Sequence, residues 1–249
     1  VPDATGILPY YKSQDYISHS NTSKGLTNRL YQSIRKRTLR NKRRLIQKVT
    51  GMGKGHVLDV GSGTGAFVSE MALHGWFATG LEPDEGARQL AKKEYNIDLK
   101  DMDQFFHLPA GSFDAITLWH VLEHVHELST YIQQLKTLLK ESGKLLIAVP
   151  NYTSQDAAIY KEHWAAYDVP RHLYHFSPQS MKVLMEKHGL KLLGYKPMWY
   201  DSFYISMLSS KYKNGKTNMV ASFLNGFRSN LKALGDVKRC SSVIYVVSK

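Results

Sequence analysis

Short apolar runs alternate with segments of helical periodicity through the middle of the chain, from about residue 55 to residue 198. The runs are rich in Val, Leu and Ile, as is typical of buried strands. The segments between them repeat their apolar residues every three or four positions, which predicts amphipathic helices. This alternation indicates an α/β fold. The predicted strands are Val57–Val60, Phe77–Leu81, Ile97–Leu99, Ala115–Leu118, Lys144–Val149, Leu190–Lys196 and Val243–Val247, and the predicted helices are Ala66–His74, Asp84–Tyr95, Leu128–Leu139 and Pro178–His188.

Further segments flank this core. Residues 1–24 have no clear period and predict an extended arm, whereas Thr27–Val49 has apolar residues near helical spacing and predicts one long or two short basic helices. Met219–Leu234 has an apolar stripe at helical spacing, for which we favour packing against the protein over an in-plane membrane helix. We predict a single domain over 1–249, made of a basic helical arm (1–54), a core (55–198), a helical insertion (199–240) and the last strand (241–249).

The first predicted strand ends in a glycine-rich turn, VLDVGSGTGAF over Val57–Phe67. Gly61, Gly63 and Gly65 have no Cβ, so the backbone can turn tightly and a ligand can lie against it. The helix that begins at Ala66 directs its free N–H groups toward the same place. The turn is therefore shaped to hold a nucleotide.

Two carboxylates accompany this turn. Asp59, at the end of a buried strand, needs a hydrogen-bond partner, either loop N–H groups or a cationic group of a ligand. Glu82 comes 21 positions after Gly61, at the end of the next strand, and is placed to accept hydrogen bonds from two ribose hydroxyls. The glycine spacing alone also fits a dinucleotide-binding turn or a tight turn without a ligand.

Four ordered pieces extend this pattern: DVGSGTG (59–65), LEPDE (81–85), GSFDAITLWHVLEHV (111–125) and GKLLIAVPN (143–151). They resemble the class I S-adenosylmethionine-dependent methyltransferases, closest to the small-molecule group that includes the ubiquinone-biosynthesis O-methyltransferases. The resemblance covers about Val57 to Tyr195. It implies a Rossmann-like, doubly wound, seven-stranded and mostly parallel sheet with an antiparallel last strand, and S-adenosyl-L-methionine as cofactor with S-adenosylhomocysteine as product. The residues that it places at the cofactor are Asp59, Gly61, Ser62, Gly63, Glu82, Pro83, Asp101, Met102, Asp103, Trp119 and His120.

Histidines are the candidates for catalysis. Methyl transfer from a sulfonium needs an aligned acceptor and, where that acceptor carries a proton, a general base. Our candidates are His172, in the aromatic segment after the fifth strand, and His120 and His124, after the fourth strand. Related quinone O-methyltransferases have Glu-x-x-Glu-His here, with a divalent metal proposed, and because His120 replaces the first carboxylate we assign no metal ligand. Further candidates are Tyr160, Asp168 and His175.

The net charge of +12 is concentrated at the two ends of the chain. Residues 16–54 carry eleven Lys and Arg with no acidic residue, and residues 203–249 carry eight against one. Solvated helix faces would explain this, and the alternative is an acidic acceptor: a phosphorylated metabolite, a lipid-linked molecule at an anionic membrane, or RNA. RNA is not favoured because no RNA-binding module accompanies the basic run.

The prediction is thus a methyltransferase acting on an acidic small-molecule or lipid-linked acceptor. Cys240 is the single cysteine, which excludes an intramolecular disulfide and favours a cytoplasmic location. No apolar stretch approaches the roughly 18 residues that span a bilayer, and peripheral membrane contact stays open. The alternatives are an RNA methyltransferase and a non-catalytic cofactor-binding scaffold. An NAD-dependent oxidoreductase is disfavoured by the pieces after strands four and five, and the oligomeric state is not predicted.

Overall fold

The computed structural model describes residues 2–3, 6–11 and 26–249. Most of the predicted arm over residues 1–24 lies outside the described residues, and within the described part Leu8–Tyr11 form a 3₁₀ turn. The basic segment that follows is one helix. The longer elements are α1 (Leu26–Thr50), β1 (His56–Val60), α2 (Ala66–Leu73), β2 (Phe77–Leu81), α3 (Glu85–Tyr95), β3 (Phe113–Trp119), α4 (Leu128–Leu138), β4 (Leu139–Pro150), α5 (Gln155–Tyr160), α6 (Pro178–Lys187), β5 (Lys191–Pro197), α7 (Asp201–Asn214), α8 (Met219–Gly235) and β6 (Ser242–Ser248).

The strands form a mixed sheet in the order β2-β1-β3-β4-β6-β5. β1 is parallel to both of its neighbours, with Val57 opposite Ala78 on β2 and opposite Ala115 on β3. β6 is antiparallel to β5, with Tyr245 opposite Tyr195. The predicted α/β fold and the antiparallel last strand are confirmed.

The prediction of a seventh strand over Ile97–Leu99 is wrong, since the described residues form a sheet of six strands. α3 ends at Asn96, which has a left-handed φ of 55°. Only Lys100 then pairs with the sheet, through an isolated parallel bridge to Leu81. The next residue, Asp101, already caps the following 3₁₀ helix. The chain between the helix end and the cap is too short for a ladder of strand hydrogen bonds.

The chain divides into two compact units. The first, called here the glycine-loop unit, comprises Lys12–Leu118, Gln133–Leu145 and Lys249. The second, called here the histidine unit, comprises Val1–Tyr11, Trp119–Ile132 and Leu146–Ser248. The single domain that we predict from the sequence stays a prediction, and each unit is described by itself below.

The glycine-loop unit is built on β1, whose Val57, Leu58 and Val60 are buried. The basic helix α1 packs against α2, and Arg43 pairs with Glu70 at 2.8 Å. Part of the basic run is therefore engaged in contacts with the unit itself.

The histidine unit is organised around a buried carboxylate, Asp156 on α5. Its oxygens accept hydrogen bonds from the indole N–H of Trp164 at 2.8 Å and from the hydroxyls of Ser229 and Ser241, both at 2.7 Å. Because Ser229 lies on α8 and Ser241 precedes β6, this one side chain fixes α8 to the body of the unit. Three donors make burial of the carboxylate acceptable.

Residues 199–240 contain the helices α7 and α8. The apolar stripe of α8, which we predict to pack against the protein, is exposed. Large residues such as Val220, at 72% exposure, and Leu234, at 70%, point away from the protein. The buried residues of the helix are small, because α7 crosses α8 closely: a Cβ on Gly226 would lie 2.8 Å from the ring of Phe203. The prediction that the stripe packs inward is wrong. Among the described helices, none has the length and the apolar character needed to cross a membrane.

Candidate active site

The turn after β1 requires glycine. Gly61, Gly63 and Gly65 have positive φ values of 71°, 52° and 73°, which residues with a side chain rarely adopt. A Cβ on Gly65 would also lie 2.8 Å from the Cβ of Ala91 on α3, whereas a Cβ on Gly63 would meet no atom within 4 Å. Gly63 therefore borders open space, where a ligand can approach the backbone.

Glu82 holds this turn from the end of β2. Its buried carboxylate accepts hydrogen bonds from the N–H of Gly63 at 2.7 Å and from the N–H of Asp84 at 3.1 Å. Each carboxylate oxygen has further lone-pair capacity, so these bonds are compatible with additional hydroxyl donors. The ribose contact stays a prediction, and the observed role of Glu82 is to fix the glycine turn.

Asp59 has a different environment from the one that we predict. It is only 3% exposed, and the hydroxyl of Thr117 on β3 donates to its carboxylate at 2.6 Å. Burial raises the pKa of Asp59 to about 7, and the hydrogen bond from Thr117 together with the charge of Lys42 offsets only part of that effect. A nearby positive charge would favour the ionised form, so this carboxylate is suited to a cationic ligand.

Arg88 on α3 joins two of the segments predicted at the cofactor. Its guanidinium donates to the carbonyls of Glu82 at 2.7 Å and Pro83 at 2.9 Å. It also pairs with Asp101, at 2.6 Å between Nη1 and Oδ2. The sequence analysis did not identify Arg88. Arg88 lies on the predicted polar face of the helix, and nothing in the sequence indicates that its guanidinium contacts these segments.

A second arginine contacts the glycine turn. Arg35 on α1 donates to the hydroxyl of Thr64 at 3.2 Å. The sequence indicated a basic helix here but not that the helix reaches the glycine turn. The glycine-loop unit thus brings together most of the predicted cofactor residues, namely Asp59, Gly61, Ser62, Gly63, Glu82, Pro83, Asp101, Met102 and Asp103.

In the histidine unit, His120 is held between two carboxylates. Its Nε2 lies 2.9 Å from Oδ2 of Asp201, and its Nδ1 lies 3.5 Å from Oε1 of Glu123. Burial acts to lower the pKa of His120, but the two carboxylates outweigh it and raise the pKa to about 10. His120 is therefore an imidazolium at neutral pH and has no lone pair with which to accept a proton.

Glu123 is 1% exposed and stays charged. Burial acts to raise its pKa, but the hydrogen bond and the charge of the His120 imidazolium are the main effects that oppose burial, and the pKa of Glu123 lies below its usual range. Its backbone carbonyl also accepts the N–H of Leu173 at 2.7 Å. That bond ties the segment carrying His172 to Glu123.

His172 presents one nitrogen to this cluster. Its Nδ1 lies 2.8 Å from the carbonyl of Ala166, and because a carbonyl only accepts, Nδ1 carries the hydrogen and Nε2 the lone pair. Burial lowers the pKa of His172 to about 4, although Glu123 and Asp168 act in the opposite direction. His172 is therefore neutral at pH 7, with an available lone pair on Nε2.

His124 has the same arrangement. Its Nδ1 lies 3.1 Å from the carbonyl of Arg171, which places the hydrogen on Nδ1 and the lone pair on Nε2, and the hydroxyl of Tyr11 lies 2.9 Å from Nδ1. The rings of His124 and His172 meet edge to face, with centroids 4.7 Å apart. Two imidazoles thus lie together, each with its Nδ1 at a backbone carbonyl.

Glu123, His124 and His172 each offer a ligand atom within 4.8 Å of the others. Two imidazole nitrogens and one carboxylate oxygen form a donor set that suits zinc or another transition metal better than magnesium. The sequence assigned no metal ligand. The described residues nevertheless contain a set of donors that fits one.

The three predicted catalytic histidines lie in one unit, where His124 and His172 are in ring contact and Glu123 lies beside all three. Trp119, predicted at the cofactor with His120, lies in the same unit. The further candidates make local contacts, since the hydroxyl of Tyr160 accepts from Asn225, His175 lies 2.9 Å from the carbonyl of Tyr167, and Asp168 pairs with Arg171. Sequence reasoning missed Asp201 and Tyr11, which are 81 and 113 positions from their histidine partners.

Comparison with known proteins agrees with this architecture. Residues 29–194 match the family described as the methyltransferase domain. Ubiquinone biosynthesis O-methyltransferase of Coxiella burnetii is 31% identical over 160 residues, which cover 59% of this chain and 68% of the relative. The enzyme of the same description from Histophilus somni is 29% identical over 196 residues, covering 74% and 73%. A methyltransferase structure from Archaeoglobus fulgidus superposes with a TM-score of 0.56 at 20% identity, covering 86% of this chain and 94% of its own. The chain belongs to the methyltransferase domain family and is a class I S-adenosylmethionine-dependent methyltransferase.

Proposed function

We propose that the protein transfers a methyl group from S-adenosylmethionine to the oxygen of a small acceptor, with His172 as the general base. The observation that carries this proposal is the edge-to-face pair of imidazoles, His124 and His172, beside the buried Glu123 carboxylate. The relatives in Coxiella burnetii and Histophilus somni are described as O-methyltransferases, which favours oxygen as the acceptor atom.

The pKa of His172 limits the kind of hydroxyl that it can deprotonate. A base with a pKa of about 4 removes a proton efficiently only from a relatively acidic group. Phenols meet this condition far better than aliphatic alcohols do. The negative charges of Glu123 and Asp168 both act to raise the pKa of His172, so they would stabilise the imidazolium once the proton has moved.

The reaction is then an in-line displacement. The acceptor oxygen forms a bond to the methyl carbon while the bond from that carbon to sulfur breaks, and the electron pair of that bond stays on sulfur, which becomes the thioether of S-adenosylhomocysteine. The acceptor proton moves to Nε2 of His172. His124 would orient the acceptor through its own Nε2, and His120, an imidazolium, would act as a positioning residue for Glu123.

On the cofactor side we assign the glycine turn and its two carboxylates. The open space at Gly63 would receive the nucleoside, Glu82 would bind the ribose hydroxyls, and Asp59 would face a positive group of the cofactor. Trp119 and His120 remain proposed contacts near the sulfonium. The basic flanks favour an anionic acceptor, phosphorylated or lipid-linked.

A divalent transition metal is compatible with the same cluster. Glu123, His124 and His172 would hold it, and it would supply Lewis acidity that makes an acceptor hydroxyl easier to deprotonate. Nε2 of His172 would then be a metal ligand instead of the general base.

The test has two stages. Calorimetric titration with S-adenosylmethionine, S-adenosylhomocysteine and NAD in parallel should show binding of the first two and none of NAD. A methyl-transfer assay over matched phenols and aliphatic alcohols should then give turnover on phenols. Binding of NAD alone would contradict the cofactor assignment. Cofactor binding without turnover on any acceptor would favour the non-catalytic scaffold, and turnover on alcohols alone would contradict the role of His172.

A further inference from the structure

The helical hairpin formed by α7 and α8 has the reverse of the residue distribution expected for a surface helix. A helix on a soluble protein normally turns its large apolar residues inward. On α8 the buried positions are instead the small residues Ser222, Gly226, Ser229 and Ala233. The large apolar residues are exposed, and they are Met219, Val220, Phe223, Leu224, Phe227, Leu231 and Leu234.

The exposed apolar residues form one continuous stripe. At about 100° of rotation per residue, six of them fall within an arc of roughly 100° on the side opposite the packed face. Their exposed fractions include 72% for Val220 and 70% for Leu234. A contiguous apolar surface of this kind marks a place of interaction, since single exposed apolar residues are common but an ordered row is not. We call this row the α8 stripe.

The hairpin is a fixed part of the histidine unit. The hydroxyl of Ser229 donates to the buried Asp156 at 2.7 Å, and the hydroxyl of Ser202 donates to Asn230 at 3.0 Å between α7 and α8. The Phe203 and Phe223 rings stack with centroids 5.3 Å apart. Contacts on the other face of α8, together with the stacking of Phe223 on Phe203 near one edge of the stripe, therefore hold the stripe outward.

The charge of the hairpin identifies the partner. Residues 202–235 carry five Lys and Arg and no Asp or Glu. On the helix, Arg228 and Lys232 border the stripe on one side, and Lys211, Lys213 and Lys216 lie at the turn before it, all exposed. An apolar face with a basic border is the pattern of helices that lie in the interface of an anionic membrane. A second copy of the chain would bring like charges together, which disfavours self-association.

We propose that the α8 stripe binds the surface of an anionic lipid bilayer, with Val220, Phe227 and Leu231 entering the interface and the five basic residues contacting lipid phosphates. This inference is independent of the proposed general base. It gives the exposed stripe and the basic C-terminal segment one common explanation.

The test is sedimentation of the full chain with vesicles of phosphatidylcholine alone or mixed with phosphatidylglycerol. We expect binding to the anionic vesicles and little to the neutral ones. The double variant V220N/F227N should weaken binding by about tenfold or more, because two apolar side chains no longer enter the bilayer. The matched control L73N/V183N replaces two equally exposed apolar residues on α2 and α6 and should bind as the wild type does.

A second pair of variants tests the charges. R228Q/K232Q should weaken binding by about tenfold and K93Q/K187Q, on other exposed helix positions, should change it little. Absence of binding to anionic vesicles would overturn the proposal. So would binding that V220N/F227N leaves unchanged, or a concentration-dependent dimer that V220N/F227N abolishes, since the stripe would then join two copies. Circular dichroism of each variant confirms that the fold is retained.

Discussion

Asp59 in the glycine-loop unit and Glu123 in the histidine unit are both buried carboxylates, and their pKa values are shifted in opposite directions. Burial raises the pKa of Asp59 to about 7, since the hydroxyl of Thr117 and the charge of Lys42 offset it only in part. Glu123 is buried as deeply, yet its pKa lies below the usual range, chiefly because the hydrogen bond and the charge of His120 oppose the effect of burial. The environments of the two carboxylates differ because Glu123 lies beside the His120 imidazolium and Asp59, among the described residues, does not lie beside an imidazolium.

The two carboxylates are suited to different roles, because one has a cation beside it in the protein and the other has a neutral hydrogen-bond partner. Glu123 already has its cation within the protein, so its charge can serve to orient and stabilise neighbouring groups. Asp59 has a neutral hydroxyl as its hydrogen-bond partner, which leaves the carboxylate to be charged fully by a cationic ligand. S-adenosylmethionine carries a sulfonium and an ammonium group. The contrast supports the proposal that the glycine-loop unit binds the cofactor and that the histidine unit accepts the proton of the acceptor.

The largest effect is expected from His172→Gln. Without the lone pair of His172 the acceptor proton has no base, and kcat should fall by about 10²- to 10⁴-fold with little change in cofactor affinity. Because the pKa of His172 is lowered to about 4, the wild-type rate should not depend on its titration near neutral pH and should fall only toward that value. Initial rates against pH give both quantities.

His175→Gln is the matched control. It replaces an exposed histidine that bonds the carbonyl of Tyr167, and kcat should stay within about threefold of the wild type. An equal loss in both variants would show that His172 acts by holding the segment in place.

The α/β fold and the glycine turn after β1 could be predicted from the sequence because their contacts are local. Strand pattern, glycine turn and the carboxylate at the end of β2 lie within a few tens of residues, and a buried strand has a clear signature. The start of α6 is also set locally, since Ser177 caps the helix by accepting a hydrogen bond from the N–H of Ser180 at 3.1 Å. The missing seventh strand shows the limit: a short apolar segment such as Ile97–Leu99 indicates a strand, but the cap at Asp101 leaves no room for one.

The residues Glu123, His124 and His172 could be found in the sequence, but their contacts with one another could be predicted only in part. His124 and His172 lie 48 positions apart, and nothing local indicates that their rings touch. Nothing in the sequence around Asp201 indicates that it pairs with His120, since that contact of 2.9 Å depends on where α7 places Asp201. The prediction that the α8 stripe packs inward is wrong for a similar reason, because the helical spacing of apolar residues does not show which face of the helix is packed. Only the small residues on the opposite face decide that.

Glu82→Ala should have the next largest effect. It removes a carboxylate that accepts from the N–H of Gly63 and that we expect at the ribose, so affinity for S-adenosylmethionine should fall by about 1.5–3 kcal/mol. Calorimetric titration measures the change. Glu85→Gln, on the exposed first turn of α3, is the control and should bind normally. Unchanged affinity in Glu82→Ala would show that the ribose assignment is wrong.

Asp201→Asn tests the imidazolium in the histidine unit. Removing this partner should cost about 1–2 kcal/mol of unfolding free energy, a value reduced by the partial exposure of the pair. The folded-state pKa of His120 is raised to about 10, so the contribution is complete below the unfolded pKa of 6.5 and is lost as the pH rises through about 10. Urea unfolding at neutral and alkaline pH measures it. Glu162→Gln, which removes a surface partner of His163, should cost far less.

Thr117→Val gives the smallest effect and the sharpest test of the Asp59 assignment. If a cationic group of the cofactor faces Asp59, binding favours the ionised carboxylate, and affinity should increase as the pH rises through about 7. Valine keeps the shape of Thr117 but removes the hydroxyl that lies 2.6 Å from Asp59 and acts to lower its pKa. The pH at which affinity rises should therefore move upward, and in Asp59→Asn the rise should disappear. Calorimetric titration from about pH 5.5 to 9 measures all three proteins. A wild-type affinity that is independent of pH would mean that no positive group of the cofactor faces Asp59, and the contrast between the two buried carboxylates would then reflect packing alone.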